Sequence, residues 1–402
     1  MGATGRQLRL VLAIALASAL AWAVTGSLGL GSASAYAVVI AALIVRPDFS
    51  PWPAGLPAVL ALVSLLALGL GTALRPLLEA PVVWEFAIVT ALVQLLGQTL
   101  PDRLMALRGL LPILAILPLL AVKSTWLGTW QQGLAIAIGI AIALLVQAAL
   151  RLPGEAAAAS EASEGAAEKA AEGTGKARPP ADSAEALPAR SLGQRFRDGF
   201  FWRKLLVSTL ALSVGMGLGA VNPKYVYFGV VILLNDSIGA TLLRVRDRMV
   251  GVSLGVLLPW LVFNSLGTGT VAIGIVMGGT TALMLALRLP AHLRTALISS
   301  GVTFAGYGPL ADWYIPSRWI DYLMGCALAL LVCVLFAPAS ALQTFRRQAE
   351  ARLAAVAGSA DLPAPGLDGS LRQLLPSAME EARWLGQQAS LQELLQRLEG
   401  SS

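Results

Sequence analysis

The chain has 402 residues, 56% of them hydrophobic and 13% charged, with a mean hydropathy of +0.72. Soluble domains carry about a quarter charged residues, so this composition excludes an ordinary cytosolic domain and points to a membrane. A single histidine, and two cysteines (Cys326 and Cys333) in one apolar run, exclude a metal cluster and a disulfide framework. No cofactor is expected, and the net charge of +6 fits basic cytoplasmic loops better than nucleic acid.

Spanning a bilayer takes about 20 mostly apolar residues. On that rule the expected spans are 8–29, 34–46, 55–78, 82–100, 107–122 and 130–150, followed by 203–221, 224–243, 249–267, 268–287, 293–310 and 318–337. The second and eighth are short or interrupted. The first, Leu8 to Leu28, is long enough to span and lacks a secretory cleavage site. Between the two sets, Pro153 to Ser191 is rich in Ala, Glu, Ser and Pro. Its few large apolar residues cannot offset the entropy of ordering, so a flexible cytoplasmic linker is expected. After Pro338, Leu342–Val356 and Pro376–Leu398 are amphipathic, with Trp384, Leu385, Leu391, Leu394, Leu395 and Leu398 at helical spacing. These helices are expected to pack on each other or on the membrane surface.

With the N-terminus in the cytoplasm, the outer loops hold only Arg75, Lys123, Lys224 and Arg318, and the other basic residues fall inside. The positive-inside rule then places both termini in the cytoplasm. Val38-Val39-Ile40 can be laid over Val230-Val231-Ile232, with Asp48 and Asp236 following in the two copies. An even number of helices per copy makes the repeats parallel. The expected fold is therefore an all-α polytopic membrane protein of about twelve transmembrane helices in two parallel six-helix repeats. Its expected parts are a first membrane half (1–152), the linker (153–194), a second membrane half (195–338) and a cytoplasmic helical tail (339–402).

Ionisable groups beside membrane-depth sequence are costly and become functional candidates. Arg244, Arg246 and Arg248 lie within five residues, ahead of Gly251 and Gly255. Two glycines four apart clear one helix face for a neighbour, and an arginine one turn earlier can attract an anion, because guanidinium matches carboxylate bidentately. The bland alternative is membrane anchoring plus helix packing, which suits Arg244 and Arg246 better. Asn235-Asp236 interrupts an apolar run. An unwound helix there would expose backbone to a cavity or an ion, and a buried Asp236 could carry a proton; alternatively, the break lies in the interface and simply ends the helix. Arg318 and Asp321 are three apart and can form a structural ion pair ahead of Gly325, with the lining of an outer vestibule as the competing reading. Gln94 and Gln98 share a face, and Ser299, Ser300, Thr303 and Tyr307 form a polar stripe; for these, packing competes with substrate contact.

These motifs resemble the fusaric acid resistance (FUSC) family of the aromatic acid exporter superfamily, distantly similar to plant aluminium-activated malate channels. The family pattern Arg-x-x-Gly-Thr-x-x-Gly is matched by Arg248, Gly251 and Gly255, with Val252 where Thr is usual. Its Arg-x-x-Asp-x-x-x-Gly is matched by Arg318, Asp321 and Gly325, and the basic pair Arg203-Lys204 also fits. The second half carries nearly all of the likeness, and the first has no arginine equivalent to Arg248. The resemblance implies proton-coupled efflux of aromatic or other organic carboxylates across the plasma (bacterial inner) membrane, possible as a homodimer. A passive anion channel and a major-facilitator-like carrier are the alternatives. A lipid enzyme is the least favoured, since paired Asp or His-carboxylate motifs are missing, and no phosphate-binding loop provides for ATP.

Overall fold

The computed structural model describes residues 3–53, 55–78, 83–99, 105–120, 125–151, 193, 197, 199–235, 237–307, 311–335, 340–357 and 369–400. Asp236, Lys123 and the expected linker, apart from Gly193, lie outside the described residues. The helices are α1 (Ala3–Ser27), α2 (Ser34–Ile44), α3 (Leu56–Leu74), α4 (Val83–Gln98), α5 (Met105–Leu119) and α6 (Trp126–Ala149). After the linker come α7 (Gly199–Gly217), α8 (Pro223–Leu233), α9 (Ile238–Gly255), α10 (Leu257–Leu266) and α11 (Thr270–Ala286). Then follow α12 (Leu293–Gly301) with a π turn at Val302–Tyr307, α13 (Ala311–Leu335), and the tail helices α14 (Ala341–Ala357), α15 (Gly369–Trp384) and α16 (Gln388–Gly400).

The helices are turned inside out relative to those of a soluble protein. On α1, Leu12, Leu16, Leu20, Val24 and Leu28 form an exposed ridge four residues apart, while Ala13, Ala17 and Ala21 are fully buried. On α4, Trp84, Ile88, Leu92 and Leu96 face out and Gln94 faces in. Lipid tails are as apolar as leucine, so nothing drives large side chains inward, and small residues take the contacts because they let backbones approach. Among the described residues, five helices are long and apolar enough to cross a membrane: Thr4–Ser27, Leu56–Leu78, Trp126–Ala149, Ile238–Leu266 and Trp313–Leu335. Shorter apolar helices accompany them.

The expected tail helix Pro376–Leu398 is instead two, α15 and α16, broken at Gly386 with φ +69°, and the expected membrane boundaries fail at one informative place. A helix at 224–243 and another at 249–267 were expected; instead α8 stops at Leu233, and α9 begins at Ile238 and runs through Arg244, Arg246 and Arg248. The basic stretch is thus helical and not a loop, since arginine is a good helix former and only apolarity was counted against it. At about 1.5 Å per residue, the 11 residues of α2 and the 11 of α8 reach little more than half of a ~30 Å hydrocarbon core.

By internal contacts the chain divides into two compact units: Met1–Ser183 with Val250–Trp319, and Ala184–Met249 with Ile320–Ser402. In the first, α1, α2 and α6 pack together with α11 and α12 around Ala17, Val38, Ile136, Ile273 and Leu297. In the second, α7, α8 and α13 share a core of Val207, Ala211, Val226, Val230 and Val332. The tail helices have their own core: Leu342 and Phe345, Leu371 and Ala378, and Leu391, Leu394 and Leu398. They pack on each other, leaving Trp384 and Leu385 exposed at the corner between α15 and α16.

Each unit opens with the same construction. Helix α1 ends at Gly29 with φ +67° and α7 at Gly219 with φ +69°, a left-handed conformation that glycine adopts without strain. In both, the residue after the glycine donates back to the carbonyl five before it: Leu30 N–H to Thr25 O at 3.0 Å, and Ala220 N–H to Gly215 O at 2.8 Å. Anchoring the chain at these glycines pairs Leu16 with Leu206, Ser18 with Ser208, Leu20 with Leu210, Ala21 with Ala211, Val24 with Val214 and Leu28 with Leu218. Exposure follows suit: the serines and alanines are buried and the others exposed. The short helices then end alike, at Val45 (φ −62°, ψ 119°) and Leu234 (φ −62°, ψ 121°). Aligning these two ends, one residue off the glycine register, sets Tyr36 against Tyr225, three residues away from the overlay of the two Val-Val-Ile runs.

Candidate functional site

Each short helix is held by a glycine on a long one. A Cβ added at Gly139 of α6 would lie 2.5 Å from the Ala37 carbonyl oxygen of α2. One added at Gly325 of α13 would lie 2.8 Å from the Val226 carbonyl oxygen and 3.1 Å from Gly229 Cα of α8. Where α8 stops, the Asn235 N–H has no helical acceptor and donates instead to Thr241 Oγ1 at 3.1 Å, and that hydroxyl also meets Cys333 Sγ at 3.1 Å. The matching break after α2 uses α6 directly: Arg46 N–H donates to Gln147 Oε1 at 3.0 Å, and Gln147 Nε2 donates to Ser50 O at 2.6 Å. In this loop Asp48 is partly desolvated, which would raise its pKa. Hydrogen bonds from Ser50 and the charge of Arg46 outweigh that and hold the carboxyl below its ordinary range.

Arg248 sits in the second unit with two tyrosines. Its Nη2 donates to Tyr322 Oη at 3.1 Å, and its Cζ lies 5.4 Å from the centroid of the same ring. The Tyr322 ring is in turn 5.1 Å from that of Tyr225 on α8. Tyr322 is 2% exposed and Tyr225 4%, and the Arg248 side chain is half-buried. Its buried Nε–H finds no acceptor among the described residues. A guanidinium with donors to spare, beside an aromatic pair, offers charge for a carboxylate and faces for a planar ring. Arg244 is exposed and donates to Ile232 O at 3.3 Å. Arg246 is bonded to Glu380 of the tail at 2.6 Å. Of the three arginines, Arg248 alone has the aromatic setting. Tyr225 and Tyr322 were not singled out from sequence, because one lies in an apolar run and the other next to a charged residue that drew the attention.

Asp321, in the second unit and 1% exposed, accepts from the Asn222 N–H at 2.8 Å and so fixes the start of α8. Arg318, in the first unit and also 1% exposed, donates to Ser299 O at 3.4 Å and Thr303 Oγ1 at 3.3 Å, with Tyr314 at 5.6 Å. Tyr307 closes the π turn and stacks on Tyr314 with ring centroids 3.5 Å apart. The hydroxyl stripe binds helix to helix: Ser300 Oγ donates to Gly255 O at 2.5 Å, and Thr280 and Ser300 share a bond of 2.9 Å. Gly251 and Gly255 face α12, where added Cβ atoms would come within 2.6 Å of Thr295 Cβ and 2.5 Å of Ala296 O. Gln94 is buried and Gln98 half-buried, on the face of α4 turned from lipid.

A chain of helices with leucines outside and alanines, glycines and hydroxyls inside is an integral membrane protein. Residues 207–332 match the model of the fusaric acid resistance protein-like family, the family that the motifs resemble. The match runs from α7 into α13 and includes Arg248, Gly251, Gly255, Arg318, Asp321, Tyr322 and Gly325. Together with the apolar helices it supports a membrane transport or efflux protein. No curated protein and no solved structure matches the chain.

Proposed function

We propose that the protein is a secondary transporter that exports aromatic or other organic carboxylates, with Arg248 attracting the anion and Tyr322 and Tyr225 taking its ring. The observation that carries this reading is the Arg248–Tyr322–Tyr225 arrangement, a spare-donor guanidinium at 5.4 Å from one ring of a pair. Asp236 is the proton carrier in this reading, placed by sequence at the interruption between α8 and α9. The two matching openings, α1–α2 and α7–α8, support an ancestral duplication with both termini in the cytoplasm. Only the second copy has an arginine at the Arg248 position, which makes the transport site single in this reading.

The test is flux of a labelled aromatic carboxylate from liposomes holding the purified protein, with and without a pH gradient. Gradient-driven flux that is reduced about tenfold or more by Arg248→Ala and uncoupled from the gradient by Asp236→Asn is expected. Gradient-independent flux that needs Arg248 but not Asp236 would instead identify an anion channel.

A further inference from the structure

We propose that the end of the first unit where α1 begins and α2 and α6 end binds the phosphate of an anionic phospholipid. Three guanidiniums converge there on the loop after α2. Arg9 Cζ lies 4.2 Å over the Phe49 ring, in a side chain only 8% exposed. Arg151 donates from Nε and Nη2 to the Phe49 carbonyl at 3.1 and 2.9 Å. Arg46 Cζ is 5.3 Å from the Trp52 ring. Asp48 pairs with Arg46 here, Nε to Oδ1 at 3.4 Å. Phe49 is held at φ +55°, an uncommon conformation for a bulky residue that these contacts keep in place.

Beside Arg151 lies a cavity of about 290 Å³ whose lining includes Trp52, Pro57, Leu144, Gln147, Ala148 and Arg151. Both ends of the Gln147 amide are consumed by Arg46 N–H and Ser50 O, and the Trp52 Nε1–H is bonded to Ile44 O at 2.9 Å. The lining is otherwise mostly apolar, and Arg151, with two of its nitrogens on Phe49, retains N–H donors. Leu145, 68% exposed, and Leu56, 38% exposed, flank the cavity in sequence and face outward as lipid-contacting residues do. Apolar walls, a guanidinium and an interfacial tryptophan next to the acyl chains suit an amphiphile with an anionic head. A free phosphate would make no use of the walls, which favours the lipid.

The experiment is a titration of the full chain in detergent with phosphatidylglycerol, read by native mass spectrometry, beside phosphatidylcholine and inorganic phosphate. Saturable phosphatidylglycerol binding that phosphatidylcholine does not displace is expected. It should weaken about fivefold in Arg151→Gln, the contribution of one basic side chain near an anionic head. Ala148→Trp fills the cavity and leaves every guanidinium in place, so it should weaken binding comparably even if Arg151→Gln disturbs the loop. Equal binding of phosphatidylcholine, or unchanged binding by folded Ala148→Trp, would overturn the site. Competition by inorganic phosphate at equal concentration would overturn the lipid assignment in favour of a free-phosphate site.

Discussion

At the scale of single residues, what distinguishes Arg248 from its neighbours is its company. Arg246 is neutralised by Glu380, and Arg244 is spent on a backbone carbonyl at the surface. Arg248 is bonded to a phenol that a ligand carboxylate can replace, because a charged acceptor makes a stronger bond than a neutral one. Arg248→Lys keeps the charge but loses the planar fork, so anion affinity should fall between wild type and Arg248→Ala. Asp48 supplies a pH test on the other unit. Its native pKa lies below the unfolded value, so its contribution to stability is present above the unfolded pKa and is lost as pH falls through the native one. Thermal unfolding of wild type and Asp48→Asn should therefore differ at pH 7 and converge as pH falls below the ordinary carboxylate range; a gap that persists in acid would show that Asp48 acts without its charge.

At the scale of elements, the short helices depend on glycine. Gly325→Ala would press a methyl group against backbone atoms of α8, which cannot swing aside, and should cost about 1–3 kcal/mol. Gly69 of α3 has its nearest neighbour, a Trp126 ring atom, 3.9 Å from an added Cβ. Gly69→Ala should be neutral, or stabilising by up to about 1 kcal/mol, since alanine is the better helix former. Equal effects in a chemical-denaturation comparison would remove the packing argument. The tail depends on Glu381, 1% exposed, which accepts from Ser340 Oγ at 2.5 Å and from the Ala341 N–H at 2.8 Å at the start of α14. Glu381→Ala leaves those donors unsatisfied and should cost about 1–2 kcal/mol. Hydrogen exchange in α14 and α16 should rise, whereas Glu380→Ala, which severs only the bond to Arg246, should leave it unchanged.

At the scale of the molecule, the long apolar helices, the inward side of α4 and the amphipathic helices of the tail were legible in the sequence. Their signals are the apolar run and the 3.6-residue period, which lipid and water read directly. The end of α8 was not, because a helix that stops halfway through a membrane leaves the same apolar letters as one that continues. The stop rests on tertiary bonds: Asn235 N–H to Thr241, and Thr241 to Cys333, 92 residues further along the chain. The likeness of α1 and α7 was hidden for a different reason. Lipid-facing leucines and buried alanines recur in every membrane helix, so only the shared left-handed glycine turn fixes which leucine answers to which. The proposed cytoplasmic placement of both termini can be checked by labelling: a cysteine at Met379, 53% exposed on α15, should react with an impermeant reagent only in inverted or opened vesicles.

The most direct measurement is equilibrium binding of an aromatic carboxylate to the purified full-length protein, comparing Arg248→Ala with Arg246→Ala. The account predicts that binding falls about tenfold or more in the first and is retained in the second. Equal retention in both, with the protein folded, would contradict a binding site at Arg248 and Tyr322.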